Sequence, residues 1–479
     1  MKVLLIQPLH YRREPEFFPL GLGYIARVLL DNNHHVDVLD IQANQYTEDK
    51  VIDWLKYKQY DFVGISSIST QYSYTKWLAE IVRLRMPDTK IVVGNALGTF
   101  TPKTVLENTE TNICCIGEGE QTFLDIVEQR PLNKIDGIAY KSKNKININK
   151  PREYIEDIDS IPFPAWDVFP MDIYLKSCFV TNQSRPCINL ITARGCPYHC
   201  GFCSRTFSGT RLRSVDNIMD EIHELIRRYK IRSVFFNDEL FVSSKRRVYN
   251  LCEQLKPLDL KWICQGRINI VDKELLKEMK RAGCVKIGYG VESGSQKILN
   301  NMNKQIKVED SRRVLNMTHE VGLEPIIQMM YGYPGENKDT LKETKEFISS
   351  LDMPIGRLFF SVTTALPGAK LYDDAIKNGL IKDEDKYLMS LKSGYMALTD
   401  NRPDFINFSE IPDNDFFKLK QDTETEIYRN QLRKYPVYYR KKMITDSISS
   451  SIVFLRHKGL KKFVHRAFEK VTVKKLSGA

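Results

Sequence analysis

Ile188-Asn189-Leu190-Ile191-Thr192-Ala193-Arg194-Gly195-Cys196-Pro197-Tyr198-His199-Cys200-Gly201-Phe202-Cys203 is an apolar strand that runs directly into three cysteines spaced C-x3-C-x2-C. Three thiolates on one tight loop can hold three irons of a cubane, and with no fourth cysteine nearby the remaining iron stays open to a ligand. Zinc and chance clustering are the rival readings. Structural zinc takes four ligands, usually as two separated pairs, and His199 is badly placed to join its immediate neighbour Cys200 on one ion. The spacing therefore favours an iron–sulfur site on Cys196, Cys200 and Cys203.

Downstream of this loop, apolar runs recur at Ser233–Asn237, Lys261–Gln265, Val285–Val291, Pro325–Tyr331 and Arg357–Thr363, with helical patterns between them. With Ile188–Thr192 they make a six-strand series, which predicts an open, three-quarter (βα)6 barrel. In a barrel of this kind the chemistry gathers at strand C-termini. Those ends carry Asp238-Glu239, Arg267, Gly290-Val291-Glu292-Ser293-Gly294, Gln328 and Tyr331-Gly332-Tyr333-Pro334-Gly335. Taken alone, each such carboxylate or arginine is as readily a structural ion-pair member.

Upstream, strands are expected at Val3–Ile6, Val36–Leu39, Phe62–Ile65, Ile91–Val93 and Ile113–Ile116, with helices such as Leu20–Leu30, Tyr72–Arg85 and Gln121–Glu128 between them. Continuous apolar strands separated by helices mean a parallel sheet covered on both faces, with its ligand site at the carboxyl ends of the strands. Gly21-Leu22-Gly23-Tyr24-Ile25-Ala26 matches G-x-G-x-x-A, a dinucleotide signature. That signature must occupy the tight turn leaving the first strand, and here Pro8, Pro15 and Pro19 intervene. A nicotinamide or flavin site is set aside on that ground. The chain thus divides into 1–135 (sheet domain), 136–185 (hairpin and linker), 186–385 (barrel) and 386–479 (helical, finally basic).

The 479 residues carry ten cysteines and a formal net charge of +11. A large reducing-compartment chain keeps such thiols free, and only the triplet is clustered. Residues 431–479 hold thirteen Lys and Arg against Asp446 and Glu469, so the tail accounts for the whole excess. The nucleic-acid reading that a basic pI invites fails on that distribution. No stretch approaches the apolar length of a spanning helix, and the N-terminal run is too short for a signal peptide, so a buried first strand in a cytoplasmic protein is expected. Cys114, Cys115, Cys252, Cys264 and Cys284 fall in strand or helix patterns and are read as core, while Cys178 and Cys187 are unassigned.

The cysteine loop, with Phe202 just before its last cysteine, resembles the signature of the radical S-adenosylmethionine (SAM) superfamily. The resemblance implies that the open iron of a 4Fe–4S cluster chelates SAM, and that one electron cleaves the sulfonium to methionine and a 5′-deoxyadenosyl radical. Phe202, Glu239, Arg267, Glu292, Ser293 and Gln328 are then the expected SAM contacts, Glu239 as acceptor of the amino group. An external one-electron reductant of flavodoxin or ferredoxin type is implied with them.

The front domain resembles the cobalamin-binding domain found ahead of many radical SAM barrels. The resemblance implies that Ser66, Ser67, Gly94, Asn95, Gly117 and Glu118, on its small-residue loops, lie against the corrin and its tail. Two departures stand out. The D-x-H-x-x-G motif is absent, Gln7-Pro8-Leu9-His10-Tyr11-Arg12 standing after strand one, and Asn95 replaces a usual second glycine. The resemblance spans roughly residues 1–385. It implies methyl transfer to an unactivated carbon or phosphorus of a small molecule or lipid, one SAM supplying the methyl group and a second the radical. Cobalamin-dependent cyclisation or rearrangement is the alternative, and a non-catalytic cluster scaffold the alternative of another class. A methylthiotransferase is disfavoured because three further front-domain cysteines are lacking. In the tail, Phe463, Val464, Ala467, Phe468 and Val471 share a helical spacing among basic residues. A helix of that kind can lie on an anionic membrane surface, which would make the protein peripheral on the inner face, or it can dock on the barrel.

Overall fold

The computed structural model describes residues 1–10, 17–143, 145–176, 186–391 and 405–442. The front sheet contains β1 (Lys2–Gln7), β2 (His35–Asp40), β3 (Phe62–Ser66), β4 (Lys90–Gly94), β5 (Ile113–Cys115), β6 (Ile138–Ser142) and β7 (Lys145–Ile148), in the order 2-1-3-4-5-6-7. The first five are parallel, β6 adds antiparallel to β5, and β7 antiparallel to β6. The hairpin read as part of the linker therefore extends the front sheet past residue 135. Valine, isoleucine and leucine dominate β1, β3 and β4 because helices cover both faces of the sheet.

The second sheet orders β8 (Cys187–Leu190), β11 (Ser233–Phe236), β12 (Lys261–Gly266), β13 (Cys284–Glu292), β14 (Glu324–Tyr331) and β15 (Arg357–Val362) side by side, all parallel. This is the expected six-strand open barrel. Between β8 and β11 the chain forms a two-stranded ladder, β9 (Ala193–Arg194) with β10 (Arg211–Leu212), which closes the cysteine loop at its base. Gly195, at φ 87°, follows β9, and a Cβ there would lie 2.4 Å from the Gly209 carbonyl oxygen, so only glycine fits.

The barrel helices begin on side-chain caps. Ser214, Ser244, Asp272 and Asn337 each accept a main-chain N–H of the helix that follows, a contribution of about 1 kcal/mol apiece. The helix Leu20–Asp31 contains Gly21, Gly23 and Ala26, so the G-x-G-x-x-A match lies inside a helix and not in the turn after β1. Gly23 is there because its Cβ would meet Phe18 and Pro164 at 2.8 Å. A last described helix, Asp413–Lys434, packs on the barrel through Phe416 and Ile427. No described helix is long and apolar enough to cross a membrane. The tail segment 456–479 lies outside the described residues.

Candidate active site

The C-terminal ends of both sheets face a common region. On the barrel side a cavity of about 610 Å3 is lined by Cys196, Cys200 and Cys203 together with Phe202, Glu239, Arg267, Glu292 and Gln328. The thiols of Cys200 and Cys203 are in mutual hydrogen-bond contact, which lowers the Cys200 thiol and raises that of Cys203. Lys304 and Arg267 lower Cys200 further, Arg267 Nη1 lying 3.9 Å from its Sγ. A cationic flank beside a thiol pair favours thiolates, the form that ligates iron. Among the described residues no three His, Cys, Asp or Glu side chains converge on a single metal ion, and a cubane does not require it because each thiolate binds a different iron. The donor set fits a three-cysteine cluster.

Arg267 is fixed on several sides. Its guanidinium carbon stacks 3.4 Å from the centroid of Tyr198, its Nε donates to Asn269 and its Nη2 to the main-chain oxygen of Lys304. Glu292 pairs with Lys304 at 2.7 Å and occupies the left-handed region at φ 67°, where β13 shifts register against β14. Such backbone outside glycine costs of order 1–3 kcal/mol and concentrates at functional sites. Burial raises the Glu239 carboxyl, partly opposed by Arg205. Its neighbour Asp238 borders the same cavity, with its carboxylate accepting from the N–H groups of Thr192 and Ala193 and from the Thr192 hydroxyl. Ser293 is not brought to the cavity: its Oγ faces Thr344 and Ser295 N.

A second cavity, about 290 Å3, lies between the front sheet and the barrel. Gly94, Asn95, Gly117, Glu118 and Ser66 line it from one side, and Arg194, Phe207, Asn237 and Glu239 from the other. Asn237 also borders a third cavity of about 500 Å3, shared with Ser66, Asn95, His10 and Gln42. Nothing lies within 4 Å of a Cβ placed on Gly117, and on Gly94 only the Cys115 Cβ, at 3.7 Å, so both glycines leave the backbone open to a bulky group. Asn95, where a second glycine was expected, adopts φ 64°, a region asparagine tolerates better than other residues. Its Oδ1 accepts from Ala96 N and its Nδ2 donates to Ser66 Oγ. The backbone bend is thus kept at the cost of a side chain on the rim. Ser67 turns inward to Thr75. The linked cavities, the open glycines and the amide side chains of Asn95 and Asn237 at the rim fit a large corrin.

Glu118 lines this second cavity, but its carboxylate is engaged. It accepts from Arg194 Nη1 at 2.6 Å, from Arg211 Nη1 at 2.9 and 3.0 Å and from Ile155 N at 2.8 Å, while Arg194 Nη2 reaches Glu120 at 2.5 Å. The Arg211 guanidinium stands over the rings of Tyr154 and Phe207, at 4.7 and 5.2 Å from their centroids. The group joins the front domain to the strands that carry the cysteine loop. Sequence reading missed Arg194, Arg211, Tyr198 and Lys304 as parts of the site. None has a spacing signal, although Arg194 and Tyr198 lie within the cysteine stretch itself.

The model of the radical SAM superfamily matches residues 190–348, and that of the B12 binding domain residues 11–127. An uncharacterized methyltransferase of Pyrococcus horikoshii is 31% identical over 373 residues, 76% of this chain and 79% of the relative. The chain belongs to the radical SAM superfamily, among the members with a B12-binding domain ahead of the barrel. A 4Fe–4S cluster, SAM and cobalamin are accordingly its cofactors. The cytidylyl-2-hydroxyethylphosphonate methyltransferase of Streptomyces wedmorensis is 27% identical, covering 79% of this chain and 81% of that one. An anaerobic magnesium-protoporphyrin IX monomethyl ester cyclase of Rubrivivax gelatinosus is 26% identical, covering 81% and 72%. The fold is shared with the radical SAM methyltransferase TsrM of Kitasatospora setae, solved with cobalamin and a 4Fe–4S cluster bound, at a TM-score of 0.65 and 17% identity over 79% of this chain and 75% of that one.

Proposed function

We propose that this enzyme methylates an unactivated centre of a small molecule, using one SAM as methyl source and a second as radical source. The observation that carries the reading is the adjacency of the two cavities: Glu239 lines both, so one acidic side chain separates the cluster chamber from the corrin cradle. The cluster, when bound, supplies the electron that breaks the SAM sulfonium, and the corrin a methyl carrier. The chain's own residues do the positioning. Cys196, Cys200 and Cys203 hold the cluster. Glu239 accepts the SAM amino group, Arg267 and Glu292 orient its carboxylate and ribose, and Gln328 and Phe202 border it. Gly94, Asn95, Gly117 and Ser66 shape the cradle. With the cluster on one side of Glu239 and the corrin on the other, the two cofactors would face each other across that side chain.

An external one-electron reductant is part of the proposal, as is a small-molecule substrate. The relatives that are cyclases keep a second reading in play, cyclisation without net methylation. Anaerobically reconstituted protein, given SAM, hydroxocobalamin, reductant and a cell extract as substrate source, separates them. Methyl transfer yields both S-adenosylhomocysteine and 5′-deoxyadenosine. Formation of 5′-deoxyadenosine with no S-adenosylhomocysteine overturns the methyltransferase reading in favour of the cyclase one.

A further inference from the structure

Lys304 follows the helix Gln296–Asn301, with nothing in its sequence context to single it out. In the structure it is buried and lines the cluster chamber. Its Nζ pairs with Glu292, its main-chain oxygen accepts from Arg267 Nη2, and its ammonium stands 5.5 Å from the Phe202 ring centroid. One residue therefore ties together an acid and a base from the ends of different barrel strands. It also puts two cationic side chains in the chamber that Cys200 lines, Arg267 with its Nη1 3.9 Å from the sulfur and Lys304 on the same wall.

Reduction adds negative charge to an iron–sulfur cluster, so fixed positive charge on buried side chains beside it, here Lys304 and Arg267, favours the reduced form and raises the potential. Of the carboxylates lining the chamber, Asp238 is hydrogen-bonded to Thr192 and Ala193, Glu292 is paired with Lys304, and Glu239 lies at the boundary with the second cavity. We infer that Lys304 is a positioning residue for reductive SAM cleavage: it anchors Arg267 and Glu292 and, with Arg267, sets the reduction potential of the cluster held by Cys200. The inference rests on the cluster assignment made above.

The test is a spectroelectrochemical titration of the anaerobically reconstituted full-length protein, with iron and sulfide quantified in each preparation. Lys304→Met at full cluster content is expected to shift the cluster to a more negative potential, and Lys304→Arg to restore it. Lys304→Gln, which keeps a donor toward Glu292 but no charge, gives the same negative shift and serves if methionine prevents folding. A wild-type potential in a fully loaded Met or Gln variant overturns the inference. Failure of arginine to restore the potential overturns it too, because the effect would then be one of packing. If wild-type protein assembles no 4Fe–4S cluster, the underlying assignment fails instead, and iron analysis reports that directly.

Discussion

Arg194→Met removes the centre of the ion group that joins the two domains. Arg194, Glu118 and Glu120 are all buried, with side-chain exposures of 9%, 3% and 8%. Removing one partner of a buried pair typically costs about 3–5 kcal/mol, because a charge is left without compensation. Here Arg211 still serves Glu118, so only Glu120 is stranded and the lower end, about 3 kcal/mol, applies. At about 2–4 °C per kcal/mol for domains of 150–250 residues, that is roughly 6–12 °C off the unfolding midpoint. Because a two-domain chain need not unfold in one step, the midpoint should be read together with hydrogen exchange at residues 117–127 and 193–213. Both segments are expected to lose protection together. Adding Glu120→Gln should recover part of the loss, since the stranded carboxylate is gone. A midpoint within about 2 °C of wild type, with unchanged exchange, would show that water already stabilises this ion group and refute the reasoning.

Three further outcomes follow from the same structure. Gly94→Trp places an indole in the open space over the front sheet, so corrin content after reconstitution should fall at least tenfold while iron and sulfide stay at wild-type levels; corrin retention would remove Gly94 from the cradle. Asp40, buried and held by Tyr174 and Ala43 N, has its carboxyl pushed up to about 6 by burial. A raised carboxyl stabilises the fold below its unfolded value near 4 and loses that contribution as pH rises through 6, on the order of 3 kcal/mol. The midpoint difference between wild type and Asp40→Asn should therefore move against the wild type from pH 4 to 6.5, and parallel curves would discount the burial effect. If the basic tail lies on an anionic membrane surface, the full chain should bind vesicles containing anionic lipid more weakly as salt rises, and removal of residues 456–479 should abolish that binding while leaving SAM cleavage intact; absence of vesicle binding by the full chain at low salt favours the docked-helix reading of the tail.

The two sheets and the cysteine loop are legible in the order of residues alone. Period and spacing are local properties: the apolar runs from Val3 to Ile116 and from Ile188 to Thr363 could form little but covered parallel strands, and C-x3-C-x2-C allows few other chemistries. The geometric objection to a dinucleotide site also needed only the count of residues after Ile6, and Gly21 and Gly23 do lie within a helix. Tertiary structure decided what each charged side chain does. Glu118 reads in sequence as a residue of a glycine loop, and only the approach of Arg194 and Arg211 from the barrel shows its carboxylate to be occupied. Asp238 and Glu239 are adjacent, yet one has its carboxylate taken up by Thr192 and Ala193 and the other lines both cavities. Ser293 points behind the strand that carries Glu292, and Lys304 joins Glu292 to Arg267 across the chamber. A polar side chain takes its role from whichever partner folding brings within about 3 Å, and partners distant in the chain leave no period in the sequence to read.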